Sequence, residues 1–484
     1  MKQLTILCFL LSSVQVFAQD TDYSHDYLKP AFHEERRQML RDKLPDNSVA
    51  VFFSNPIRNR SNDVDYVYHQ DPNFYYLTGY KEPGSLLLIF KEAQHHRVLG
   101  SFDEIIFSQT AMNKRPIFDG QVLGVSGVKQ LGFNQVYDAA AFDTIYFDLS
   151  RLDHVLYMEF LNDVRDNPDN PADLYSLLEQ FKHKLNKAQH DQILKEGDQK
   201  LNLNTSRLPE IMAEMREIKS KEEIDMLRKA IDISCIGQRE VMKAMHPGMS
   251  ESEVQGIHEF IYKKYGAEYE GYPSIVGAGH NGCTLHYIKN DKLRLNDDLV
   301  LMDLGAEYHG YTADVTRTIP ANGKFSREQA AIYNLVLKAQ EAALKECRPG
   351  NPIRGANKIC RDVINRGLVR LGIIPSYDTP HIYFPHGVSH HIGLDVHDPG
   401  LYRDYEEGMV LTVEPGIYIP IGSDCDEEWW GIAVRIEDDI LITSDGYELL
   451  SDKAPRTIKE IESLMAEDNI FSEYQLPQID ITVE

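Results

Sequence analysis

No feature restricts the fold more than the stretch from Asp298 to Ile319, DLVLMDLGAEYHGYTADVTRTI. It reads as two strands joined by a turn around Tyr308-His309-Gly310. Alternate residues of a strand share a face, so Asp303 lies with Leu299 and Leu301. Asp314 shares a face with Thr312 and Thr316, across the turn from Asp303. An unpaired carboxylate on an apolar face costs on the order of tens of kcal/mol in a dry interior, so it protonates or finds a cation. Two acids facing one another also repel. A metal ion answers both demands; pairing with Arg317 or another basic side chain is the alternative this hairpin leaves open.

A second cluster, Pro385-His386-Gly387-Val388-Ser389-His390-His391-Ile392-Gly393-Leu394-Asp395-Val396-His397-Asp398-Pro399, crowds histidines and aspartates among glycines. A lone histidine is more often a satisfied core residue. His386, His390, His391 and His397 together point to function, because neutral imidazole is the commonest metal ligand. They cannot all ligate one ion and leave positions for substrate. Two weaker pieces follow. Glu414, in Leu411-Thr-Val-Glu414-Pro-Gly-Ile-Tyr418, sits at a strand end. Glu437, in Gly431-Ile-Ala-Val-Arg435-Ile-Glu437-Asp438-Asp439, falls in an apolar strand, where a salt bridge to Arg435 is the plainer reading. With Asp303, Asp314 and one histidine they supply four carboxylates and one imidazole. Such oxygen-rich ligation suits Mn²⁺ and similar ions better than a thiolate zinc site does. Two metals about 3.5–4 Å apart can share a bridging water, lower its pKa and polarise a scissile carbonyl. Glu414 is a candidate to accept and return the proton, and non-ligating histidines can donate to the oxyanion.

A chain of 484 residues, 42% hydrophobic and 26% charged, is expected to form two soluble domains. Its net charge of -25 argues against nucleic acid and anionic membranes, which need a basic footprint. The opening MKQLTILCFLLSSVQVFAQD has a positive start at Lys2, an apolar run from Leu4 to Leu11 and a small-residue site at Val16-Phe17-Ala18. This is the pattern of a signal peptide cleaved after Ala18, so a periplasmic or extracellular destination is expected. No later segment is long and apolar enough to cross a membrane. The scattered Cys235, Cys283, Cys347, Cys360 and Cys425 do not make a zinc site; most are expected as buried thiols, with a disulfide left open.

The expected organisation is a signal peptide over 1–18, an α/β domain over 19–200, a linker over 201–219, a catalytic domain over 220–469 and a tail over 470–484. Strands are expected at Val49–Phe53, Ser85–Phe90 and Thr144–Phe147, and helices at Ala31–Leu44 and Asp173–Leu185. The loop sequence Asp166-Asn-Pro-Asp-Asn-Pro171 precedes the second of these. Ser220 with Glu222 and Glu223 opens a helix that Pro247-Gly248 stops. Further helices are read at Ser252–Tyr265, Arg327–Leu344 and Gly355–Leu371.

Leu285-His286-Tyr287, the Asp303 and Asp314 hairpin, His386-Gly-Val-Ser-His390 with His397, Val413-Glu414-Pro-Gly416 and Arg435-Ile-Glu437-Asp-Asp439 occur in the order seen in one known family. The sequence resembles the pita-bread metallopeptidases, in their aminopeptidase P and prolidase branch, over nearly the whole mature chain. Asp71-Pro-Asn-Phe-Tyr-Tyr-Leu-Thr-Gly-Tyr-Lys-Glu-Pro83 is similar to their creatinase-like N-terminal domain. The resemblance implies an α/β (α+β) architecture with that domain followed by a pita-bread catalytic domain. It implies that Asp303, Asp314, His390, Glu414 and Glu437 ligate two divalent ions, usually Mn²⁺, with Zn²⁺ or Co²⁺ as alternatives. By the same resemblance His286 and His397 contact substrate and oxyanion. His386 and Tyr418 face the proline side, and Arg435 braces ligands and substrate. Asp63, in Arg60-Ser-Asn-Asp63-Val-Asp-Tyr, lies near the substrate's amino end. The implied reaction is release of the first residue from peptides with proline second, by a homo-oligomer (dimer or tetramer). A dipeptide-restricted prolidase shares all five ligands. An inactive pita-bread binding module would have lost ligands, and none is lost here. His391 departs from the family's apolar or aromatic residue; it is expected as a stray ligand or as an exposed or hydrogen-bonded side chain. Cys283 is expected in the site's wall rather than as a nucleophile.

Overall fold

The computed structural model describes residues 26–471, apart from 97–98, 110–119, 121, 146 and 197–200. The segment read as a signal peptide and nearly all of the expected tail lie outside the described residues. The first half is built on a six-stranded mixed sheet. Its order is Val136–Asp138, Gly100–Ser108, Leu86–His96, Ser48–Phe53, His154–Tyr157, Asn202–Asn204. The strand Ser48–Phe53 shows why a buried sheet needs apolar residues on both faces. Its Val49 and Val51 enter one core beneath the long helix Leu174–Glu196, with Leu177, Phe181 and Leu185. Its Ala50 and Phe52 enter the other, which runs on into the second half of the chain.

Two segments differ from expectation. Thr144–Phe147 is not a strand. Thr144 ends the short helix Ala141–Thr144, and Phe147 packs its ring against Phe90, Phe102, Phe107 and Phe142. Aromatic packing, not sheet pairing, explains the apolar residues. Nor are residues 201–219 a linker. They carry the edge strand Asn202–Asn204 and the helix Arg207–Glu217, whose Leu208, Ile211, Met212 and Met215 are buried in the core shared by both halves. A segment that buries this much apolar surface cannot act as a loose tether.

The second half begins with the helix Lys221–Ala244, closed at its start by a reciprocal Ser220–Glu223 capping box. Glu251–Lys264 and Arg327–Leu344 start the same way, from Ser250 with Glu253 and from Ser326 with Gln329. Arg354–Arg370 completes the helical layer, and Arg327–Leu344 packs along it. These helices cover short antiparallel strands. Leu299–Leu304 pairs with Val315–Pro320, setting Asp303 opposite Thr316, and Ala306–Tyr308 pairs with Tyr311–Thr312. The hairpin turns at His309 and Gly310, whose φ values of 52° and 89° suit a two-residue turn that follows strand twist. Gly305 lets the strands pinch between the two pairings, since a Cβ there would lie 1.7 Å from the Ala313 carbonyl oxygen. Val410–Val413 pairs with Asp438–Ile442, and Gly416–Ile419 with Ile432–Arg435. No described helix is long and apolar enough to cross a membrane.

Candidate metal centre

The strand breaks are where the chemistry collects. Asp303 lies within its strand, and Asp314 follows the pinch at Ala313. Glu414 sits at the strand end after Val413, as expected. Glu437 does not lie inside a strand: it falls in the gap between Arg435 and Asp438. The partner strands break at the same level, between Val413↔Asp438 and Gly416↔Arg435, so Glu414 and Glu437 emerge side by side. Glu437 is tied to the hairpin, its carboxylate accepting from Thr316 Oγ1 at 2.6 Å and its N–H reaching the Thr316 carbonyl at 3.1 Å. His390 arrives on a loop strung along Val410–Val413, accepting from Thr412 N at 2.9 Å.

Asp303, Asp314, His390, Glu414 and Glu437 line one cavity of about 280 Å³, together with His286, His386, His397 and Arg435. One ligand atom each from Asp314, His390 and Glu437 lie within 4.8 Å of one another. His390 Nδ1 stands 3.1 Å from the His391 carbonyl, which can only accept, so Nε2 is turned inward. It lies 3.4 Å from Asp314 Oδ2 and 3.7 Å from Glu414 Oε1. Ligating histidines are held in this way, with the second ring nitrogen donating to a carbonyl or carboxylate.

The charges do not balance within the protein. Arg317 pairs with Asp438 at 2.7 Å and with backbone carbonyls, not with the hairpin acids. Arg435 does pair with Asp303, and also donates to Tyr418 Oη at 2.9 Å. Against the cost of burial, that guanidinium and the Tyr272 hydroxyl hold the Asp303 carboxyl below its usual range. The other acids go the opposite way. Burial and the Asp303 charge push Asp314 up. Burial, outweighing the pull of His390 and Arg435, lifts Glu414 to about 7. Burial and three neighbouring carboxylates raise Glu437 well above the carboxylate range. His390 rises to about 9 despite burial, because Asp314 and Glu414 favour its charged form. One arginine and one imidazole do not neutralise this group, and divalent cations held by its oxygens and His390 Nε2 would. The donor set fits Mn²⁺-type ions.

Two residues absent from the sequence-based list complete the site. Tyr272 Oη lies 2.6 Å from Asp303 Oδ1 and 2.5 Å from Asp314 Oδ1, bridging both. Asp439 accepts from Asp314 N at 3.0 Å and is itself raised by burial and by Asp314. Asp439 stands in the Glu-Asp-Asp run and is visible there; nothing in the local sequence marks Tyr272.

Of the remaining predicted residues, His286 and His397 stand in the cavity wall, with the His397 ring edge-on to His390 at 4.5 Å. His386 Nε2 meets Tyr418 Oη at 2.8 Å, and burial lowers its pKa to about 4, leaving it neutral. Tyr418 stands behind His386 and Arg435, braced by both. Cys283 packs beside Ile275, Leu301, Tyr418 and Ala433, and burial lifts its thiol to about 11, which suits wall rather than nucleophile. All five described cysteines are free. Asp63 is exposed at the tip of the hairpin Asn59–Ser61/Val64–Asp65, turned by Asn62 at φ 51°, and does not line the cavity. One placement, that of His391, differs from expectation. His391 is neither a stray ligand, nor exposed, nor hydrogen-bonded through its ring. Its backbone bridges to Leu411, which turns the ring inward against Tyr402. Both ring nitrogens lack a described hydrogen-bond partner, and burial lowers its pKa to about 3.

The model of metallopeptidase family M24 matches residues 225–444, and that of the aminopeptidase P N-terminal domain matches residues 33–157. Xaa-Pro aminopeptidase of Escherichia coli is 36% identical over 89% of this chain and 97% of its own length. The mitochondrial intermediate cleaving peptidase 55 of Arabidopsis thaliana is 32% identical over 94% and 88%. Among solved structures, Pseudomonas aeruginosa aminopeptidase PepP superposes with a TM-score of 0.80 at 33% identity, over 91% of this chain and 98% of that one. Escherichia coli aminopeptidase P with the inhibitor Pro-Leu gives 0.78 at the same identity and coverage. The α/β N-terminal domain and the pita-bread C-terminal domain thus agree with the relatives, and this chain belongs to metallopeptidase family M24, in its aminopeptidase P branch, as a metal-dependent aminopeptidase.

Proposed function

We propose that the enzyme releases the first residue of peptides carrying proline second, using two divalent ions held by Asp303, Asp314, His390, Glu414 and Glu437. The convergence of these five side chains on one cavity carries the reading. Bound there, the ions would supply a water of lowered pKa and polarise the scissile carbonyl, and Mn²⁺ suits the donors best. Glu414 is the group to accept and return the water's proton, because its carboxylate lines the cavity among the other ligands, with Oε1 3.7 Å from His390 Nε2. His286 and His397 border the space where an oxyanion develops and can donate to it. Arg435 fixes Asp303 and, through Tyr418, His386, so that one buried cation orients a ligand and the proline side together.

Aminopeptidase action is preferred to dipeptidase action because the similar Escherichia coli enzyme holds Pro-Leu, a dipeptide that begins with proline. Cleaving ahead of proline in a longer peptide leaves such a product. We also propose export after removal of residues 1–18, and a homo-oligomeric state. N-terminal sequencing of exported protein and light scattering test these two points.

The main test compares a Xaa-Pro dipeptide with a Xaa-Pro-Xaa tripeptide, before and after chelator treatment and after adding Mn²⁺ back. Tripeptide cleavage that chelation abolishes and Mn²⁺ restores is expected. Cleavage of the dipeptide alone would make the enzyme a prolidase, and full activity after metal stripping would rule out the mechanism.

A further inference from the structure

The tip of the ligand hairpin is held from outside the hairpin by Asp26 and Tyr27. Asp26 accepts from Tyr308 Oη at 2.8 Å, lies 2.6 Å from His309 Nε2, and pairs with Lys229 of the helix Lys221–Ala244. The Tyr27 ring stacks on His309 with centroids 3.6 Å apart, and its hydroxyl donates to Glu268 at 2.9 Å. Lys81 sits over the other side of this arrangement, 3.8 Å from the Tyr27 ring centroid. Glu268 accepts from His309 N at 2.7 Å and lies 2.8 Å from its Nδ1. His309 is thereby only 2% exposed, although it occupies a turn position with positive φ that a side chain adopts reluctantly.

These contacts lead to the metal centre by two routes. One is the hairpin itself, whose closed end is His309-Gly310 and whose body carries Asp303 and Asp314. The other runs through Glu268 into the strand Tyr269–Glu270, which pairs with the hairpin as Ala306↔Glu270 and Glu307↔Tyr269. That strand delivers Tyr272 to both carboxylates. We propose that Asp26 and Tyr27 are positioning residues of the metal centre, a strap that fixes the hairpin tip and the Tyr272 segment so that Asp303 and Asp314 keep the spacing metal binding needs. The strap rests on the metal-holding role proposed above.

The test uses the full chain with Asp26→Ala, with Tyr27→Ala, and with Glu448→Gln as a control. The control breaks an ion pair of similar character between Arg228 and Glu448, 2.6 Å apart and far in sequence from the hairpin. After chelator treatment, each protein is titrated with Mn²⁺ by calorimetry and melted in its metal-free and Mn²⁺-loaded forms. Outer partners of metal ligands typically change affinity by ~10–100-fold, and the strap, one step further out, is expected at about tenfold. The control keeps the wild-type affinity, and turnover of the strap variants recovers at saturating Mn²⁺. Unchanged Mn²⁺ affinity, with or without an equal loss of melting temperature in both forms, would show a merely structural contact and overturn the strap. Wild-type protein that takes up no Mn²⁺ would overturn the metal reading itself, and the strap with it.

Discussion

Replacing Tyr272 by phenylalanine removes a single hydroxyl and leaves the ring in place beside Gly305. That hydroxyl touches Oδ1 of both hairpin acids, at 2.6 Å and 2.5 Å. It carries one proton, so at any moment it gives one charge-assisted hydrogen bond, not two. Such a bond to an ionised group contributes about 1.5–3 kcal/mol. Tyr272 secures the two Oδ1 atoms while Oδ2 of Asp314 faces His390 Nε2 at 3.4 Å. Without the bridge the two carboxylates repel, turn, and must be reordered when a cation binds. At about 1.4 kcal/mol per tenfold, Mn²⁺ affinity should fall by roughly ten- to a hundredfold. Calorimetric Mn²⁺ titration of chelator-stripped Tyr272→Phe against wild type measures this directly. An affinity within about twofold of wild type would refute the reasoning, because it would mean the bridge does not order the ligands.

Glu437→Ala and Asp303→Ala should both abolish turnover with cooperative melting retained, but their metal-free stabilities should part. Glu437→Ala removes a carboxyl that burial and its neighbours already disfavour, whereas Asp303→Ala strands the buried Arg435 and should cost about 3–5 kcal/mol in urea unfolding. Gly305→Ala would place a methyl 1.7 Å from a backbone oxygen that cannot rotate away, so loss of soluble folded protein is expected on expression. Asp398 is buried between Arg216 at 2.5 Å and Lys219 at 3.0 Å, and their charges, outweighing burial, lower its pKa. Its stabilising contribution is therefore complete above the ordinary aspartate pKa of about 3.9 and is lost as pH falls below that value. Asp398→Asn should melt lower at pH 7, and its stability should decline less steeply than that of wild type between about pH 4 and pH 2.

Much of the site was legible because its acids break a local rule. Asp303 on an apolar strand face is a contradiction within a few residues of sequence, which protonation, a basic side chain or a metal ion must resolve. Helix starts were legible for the same reason: Ser220 with Glu223 satisfies its own backbone locally. What escaped was non-local. Phe147 looked like strand and is aromatic packing, and residues 201–219 looked like a tether and are core. Strand periodicity could not choose Arg435 over Arg317 as the partner of Asp303, since both lie near acids in sequence; the family resemblance pointed to Arg435, and the folded register separates the two. His391 looked like a polar member of the cluster, but the bridge to Leu411 turns it inward.

The sequence alone determined which side chains could supply chemistry, because residue type and spacing state a burial conflict wherever they occur. Only the tertiary structure decided which conflicts resolve one another. Tyr272, Arg435 and Asp439 meet Asp303 and Asp314 across separations of 31 to 132 residues. Contacts at that range are set by strand register and helix packing, and leave no periodic trace in the chain itself.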